Sequence, residues 1–144
     1  MKRIISRLFV AAALVLFGGG ALQAQDYTIV VNAANPAASL TKAQASDLLL
    51  KKAAKWPHGA AAQPVDQQKS AAVRDAASRA IHGRPTSAIA SYWQQQIFAG
   101  KDVPPPEKGS DADVLAFVRS NPGAIGYVSA GADLGAGVKA LTVK

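Results

Sequence analysis

Apolar and polar positions alternate along the chain in two rhythms, one of period two and one of period near 3.6. Tyr27-Thr28-Ile29-Val30-Val31 is β-branched and aromatic and reads as a buried strand ending at Asn32. After the Asn35–Ser39 loop the helical rhythm takes over, with Thr41 as a cap to which Gln44, three residues on, reaches back. This helix is expected to run to about Lys52, with Ala45, Leu48 and Leu49 on the core face. Lys51 and Lys52 would then sit in its last turn, where positive charge suits the carbonyl end of the dipole. Trp56-Pro57-His58-Gly59 reads as a turn, and the stretch from Ala62 to Asp66 as a short strand that Pro64 confines to a sheet edge or a strand start. Ser70 opens a second helix with Val73, Ala76, Ala77, Ala80 and Ile81 inward, Arg74, Asp75 and Arg79 outward, and Gly83 as its stop. Thr86 begins a third, on which Ile89, Tyr92, Trp93 and Ile97 form one apolar stripe, closed by Gly100. Three prolines, Pro104 to Pro106, stiffen an extended connection. Ser110 and Asp113 start a fourth helix with Val114, Leu115 and Val118 inward. Asn121-Pro122-Gly123 ends it, the run from Ala124 to Val128 is a compact buried strand, and the segment from Val138 to Val143 adds an edge strand. Strands separated by helices, without an internal repeat, predict one layered α/β domain.

The N-terminal pattern differs. Lys2, Arg3 and Arg7 precede an unbroken apolar run from Leu8 to Phe17, followed by Gly18, Gly19, Gly20 and Ala21. That order of parts is a secretory signal peptide. The run is too short for the roughly twenty residues of a bilayer-spanning helix. Residues 1–24 are therefore expected to be removed, leaving a soluble periplasmic domain of residues 25–144, the size of one domain with one core. The formal charge of +7 includes those three leader cations, so the domain is nearer +4, with its basic residues scattered. No basic cluster is interleaved with aromatics, and nucleic-acid binding is not expected. The chain has no cysteine, so its stability rests on packing.

Candidate chemistry is sparse. His58 and His82 are the only histidines, and neither has acidic neighbours at ligand spacing, so no metal and no cofactor is expected. His82, beside Gly83, is placed to cap helix carbonyls. No nucleophile motif, no paired catalytic carboxylates and no nucleotide-cradling loop is present, and the chain reads as a non-enzyme.

Two stretches carry a family resemblance: LTKAQASDLLLKKAAKWPHG from Leu40 to Gly59, and SDADVLAFVRSNPGAIGYVS from Ser110 to Ser129. In order and spacing the chain resembles the phosphate-type periplasmic substrate-binding proteins of ABC transporters. The resemblance implies a three-layer α/β/α single lobe of the type II periplasmic-binding-protein-like fold. Within NPGAIGYV, Pro122 and Gly123 end a helix, Gly126 permits a close approach, and Tyr127 buries its ring while its hydroxyl finds a partner. In that family a Gly-Ser-Gly-Thr turn with an upstream arginine holds phosphate. The matching stretch here is Asp66-Gln67-Gln68-Lys69-Ser70-Ala71-Ala72. The resemblance thus makes Lys69, Ser70, Ala71 and Ala72 the candidate ligand-binding residues for a small oxyanion such as phosphate, Ser70 sitting where a helix start would offer free N–H groups. The glycines and the threonine are replaced, and Asp66 stands nearest the position of the arginine, where an uncompensated carboxylate would repel phosphate. Ser70 is equally placed to be an ordinary helix cap. An inner-membrane transporter or an envelope sensor is the implied partner. The alternative is a non-catalytic envelope interaction protein that keeps the fold without the ligand site.

Overall fold

The computed structural model describes residues 26–144; the expected leader and its expected cleavage position lie outside them. The elements run β1 (Tyr27–Asn32), β2 (Ser39–Leu40), α1 (Lys42–Leu49), β3 (Gln63–Pro64), β4 (Asp66–Gln67), α2 (Ala72–Ala77), α3 (Thr86–Phe98), β5 (Glu107–Lys108), α4 (Asp111–Ser120), β6 (Ala124–Ser129) and β7 (Val138–Val143). A π-helical turn, Ser78–His82, continues α2. Five strands form one sheet in the order β2-β7-β1-β6-β3, and β4 pairs with β5 apart from it. β1 is central and antiparallel to both neighbours, Ile29 facing Tyr127 on one side and Leu141 on the other.

The period of two in β1 decides how the layers form. Ile29 and Val31 point to one face, where Leu48, Leu49, Val73, Ala77 and Ile81 of the α1 and α2 layer cover them. Val30 points to the other face and packs with Val114, Leu115 and Val118 of α4. The sheet is thus sandwiched between helices, the three-layer α/β/α arrangement that the family resemblance implies. Gly126 makes this sandwich possible on β6. A Cβ there would lie 2.6 Å from Val65 Cγ1 and 3.0 Å from Val114 Cγ1, so only glycine fits without displacing both neighbours.

Several sequence expectations need correction. α1 stops at Leu49 rather than Lys52, because Lys51 turns into the left-handed region (φ 58°) and its ammonium reaches Asp102. β7 lies inside the sheet rather than at its edge, since β2, too short to announce itself in the sequence, pairs along its outer side. Ile97 does not join the core stripe of α3. Ile89 and Trp93 are buried with Leu50, whereas Ile97 and Phe98 emerge into solvent. The Thr41–Gln44 capping box, the Ser110 cap and the edge position of β3 are as the sequence predicts.

Candidate functional site

Val65 makes the step that builds the site. Its N–H bonds to Ile125 O at 2.9 Å, the last rung of the main sheet, and the next two residues leave to pair with β5. That departure turns the Asp66 side chain inward, between α2 and β6. Its carboxylate accepts hydrogen bonds from the Tyr127 hydroxyl and from the Gln67 N–H (2.9 Å). Arg74 of α2 meets it there. Arg74 Nη2 lies 3.3 Å from Asp66 Oδ2, and Nη1 donates to Gln67 O at 2.7 Å and to Glu107 Oε1 at 2.8 Å. Gln67 extends the network by donating to Asp111 Oδ1 (2.7 Å) and Tyr127 O (3.1 Å), and Ser129 N–H donates to the same Asp111 oxygen at 3.1 Å. One polar cluster thus ties β4, β5, α2, α4 and β6 together.

This arrangement overturns two sequence readings. Arg74 was expected on the outer face of α2, but its side chain is only 4% exposed. Asp66 is not an uncompensated carboxylate, because Arg74 supplies its counter-charge. The burial of an arginine is tolerable here because its N–H groups find acceptors and its charge finds a partner. Burial holds the Asp66 carboxyl above the usual range, against the opposing pull of Arg74, the Tyr127 hydroxyl and the Gln67 N–H. Burial, then the Asp66 charge, keeps the Tyr127 phenol protonated far above neutrality.

Beneath the cluster a crevice of about 20 Å³ is lined by Asp66, Arg74, Ser78, His82, Trp93 and Tyr127 among others. That volume suits about one water molecule. His82 caps no carbonyl there, contrary to expectation; its Nδ1 lies 2.7 Å from Ser46 Oγ. Burial, followed by the charges of Lys52, Arg84 and Arg74, lowers its pKa to about 4, so the ring is neutral at pH 7.

The residues predicted for the ligand lie beside this cluster, at the surface. Lys69 and Ser70 are exposed in the turn between β4 and α2, Ala71 is the half-buried N-cap of α2, and Ala72 is its exposed first residue. Ala71 has no side chain to cap with, and Ser70 makes no cap either, so the reading of Ser70 as an ordinary helix cap is incorrect. The Arg74–Asp66–Glu107 cluster escaped the sequence reading. Its signal was present in the spacing, because Arg74, Ala77 and Ile81 fall at i, i+3 and i+7, one helical face. The carboxylate directly after the apolar Pro64-Val65 pair was a second signal, since a carboxylate turned inward needs a counter-charge or hydrogen-bond donors.

The PBP superfamily domain matches residues 21–143, nearly the whole sequence. The chain belongs to the PBP superfamily. No curated protein sequence matches it. Among solved structures, this PBP domain is similar to a candidate phosphate ABC transporter substrate-binding protein from Clostridium perfringens, solved with bound phosphate. The TM-score is 0.64 at 21% identity, over 82% of this chain and 44% of that one. An ABC-type phosphate transport receptor from Vibrio cholerae gives a TM-score of 0.63 at 20% identity, over 82% of this chain and 46% of that one. A candidate phosphate-binding protein from Planctomyces limnophilus gives 0.62 at 19%, over 83% and 41%. The PBP domain therefore spans less than half the length of each of these proteins.

Proposed function

We propose that this PBP domain is a non-catalytic, exported binding lobe that takes a small oxyanion such as phosphate at the turn from Lys69 to Ala72. One observation carries the reading: the lobe has the fold of proteins described as phosphate receptors, one of them solved with phosphate, and its counterpart turn is open to solvent. Lys69 brings a positive charge and Ser70 a hydroxyl. Ala72 and the residue after it begin α2, and the first N–H groups of a helix have no intrahelical acceptor. A single open lobe leaves much of the anion in water, so binding is weak and selectivity modest. The periplasm is the proposed location, and an inner-membrane transporter or envelope sensor the proposed partner.

The test is a thermal-shift titration of residues 25–144 with phosphate, using sulfate and chloride at equal ionic strength as controls. A ligand at a hundred times its dissociation constant adds about 2.7 kcal/mol. The expected result is a phosphate-selective rise that shrinks in Ser70→Ala. An unchanged melting temperature with every anion would sink the reading.

A second reading rests on a different observation. Phe98 is 90% exposed at the end of α3, with Ile97 and Val103 exposed beside it, and the chain spans less than half of its structural relatives. The lobe would then be an interaction protein that docks through this apolar tip.

A further inference from the structure

The strongest unexplained feature of the lobe is that its buried cation holds two carboxylates where one would neutralise it. We infer that Arg74 is the anion-receiving group of the lobe and that Glu107 occupies it from within, so that a small oxyanion binds by taking the place of the Glu107 carboxylate. The inference rests on the oxyanion-binding reading above and moves its centre from the surface turn to Arg74.

The two carboxylates are not equivalent. Asp66 is only 16% exposed, faces Arg74 Nη2, and is fixed by the Tyr127 hydroxyl and the Gln67 N–H. It provides the permanent counter-charge that a buried guanidinium requires. Glu107 is 39% exposed and, among the described residues, its carboxylate makes its polar contact only with Arg74 Nη1. Its side chain can swing into solvent without any change of backbone. A position held by a carboxylate oxygen at 2.8 Å from a guanidinium nitrogen is a position shaped for an oxyanion, because the planar fork of arginine donates to carboxylate and phosphate oxygens in the same geometry.

The surroundings agree. Gln67 is paired with Lys108 in the small sheet, and Gln68 N–H donates to Lys108 O at 3.0 Å. The turn carrying Lys69 and Ser70 therefore leaves the small sheet beside Lys108, one residue past the Asp66–Glu107 pair, and it leads back to Arg74 through the first turn of α2. A crevice of about 20 Å³ is too small to admit an anion from beneath, so the approach is from the solvent side, where Glu107 now lies. Glu107 also explains why binding would be weak. With Asp66 and Glu107 both charged against one Arg74, the cluster carries a net negative charge that an incoming anion must overcome.

The experiment compares the phosphate titration of the wild-type domain with Glu107→Ala and Glu107→Gln, each checked for a native circular dichroism spectrum. Removal of the internal occupant is expected to lower the half-saturating phosphate concentration about ten-fold, the size of one hydrogen bond to a charged group. Glu107→Gln, which keeps the shape and loses the charge, covers the case in which the alanine variant fails to fold. The gain is expected to vanish when Arg74→Lys, which keeps the charge and loses the fork, is added. If the wild type binds phosphate and neither Glu107 variant binds it better, the self-occupancy is wrong and the oxyanion reading stands. If the gain survives Arg74→Lys, the anion sits on the surface turn and the role assigned to Arg74 is wrong. If neither the wild type nor a Glu107 variant responds to any anion, the oxyanion reading falls and this inference falls with it.

Discussion

Arg74 shows how a residue's class can hide its position. Its spacing places it with Ala77 and Ile81, but its charge argued for solvent, and the charge argument loses because Asp66, Gln67 O and Glu107 satisfy the guanidinium inside. The candidate site was legible only to this extent: the sequence pointed to the loop that leads into α2, and the cation that organises it lay a few residues further on. His82 gives the residue-scale prediction. Its pKa is about 4 in the fold and near 6.5 in the unfolded chain, so below pH 6.5 the unfolded state binds the extra proton. The stability due to the neutral ring is fully present above pH 6.5 and is lost as pH falls towards 4. The whole loss is at most about 3 kcal/mol. Urea denaturation at pH 7, 5.5 and 4.5 is expected to show this decline, and His82→Gln to flatten it. An identical slope in the variant would mean that other groups carry the acid sensitivity.

Long, periodic elements were readable, and of the two-residue strands only β3, marked by Pro64, was. The four helices and β1 and β6 follow from apolar spacing, the capping residues Thr41 and Ser110, and the stops at Gly83 and Gly100. β2, β4 and β5 have two residues each, too few to show a period of two, and they exist because a partner strand lies beside them. The same limit applies to the order of the sheet: that β7 is interior depends on β2, which the pattern of β7 cannot reveal. At this scale the prediction concerns the crossing of β6 between Val65 and α4. Gly126→Ala puts a methyl group into the side chains of Val65 and Val114, and overpacking of this kind costs about 1–3 kcal/mol. The denaturation midpoint is expected to fall with an unchanged m-value. A variant as stable as the wild type would show that Val65 and Val114 shift at no cost.

For the whole molecule, the apolar tip at Phe98 separates the lobe's two proposed roles, because it contributes to none of the three core clusters. Phe98→Ser is therefore expected to leave the unfolding free energy within about 0.5 kcal/mol of the wild type. If the lobe is an interaction protein, the same change is expected to abolish capture of its partner from envelope extracts; undiminished capture would remove the tip from that role. The family of the fold was legible from NPGAIGYV and the Trp56 turn because these residues make architecture. Trp56 Nε1 donates to Gly123 O at 2.9 Å, joining the two resembling stretches across the domain. The ligand was less legible, since a scaffold of this kind can persist while the residues of its site change.

The position of β1 has a consequence for the order of events during synthesis. Ile29 pairs with Tyr127 and with Leu141, partners that emerge about a hundred residues later. The central strand must wait for nearly the whole chain before it finds either neighbour, and contacts at such separation close slowly. Until then the sheet has no centre and neither helical layer has a surface to cover. A chain built in this order can complete its sheet only when nearly all of it has been made, so its folding follows its synthesis rather than accompanying it.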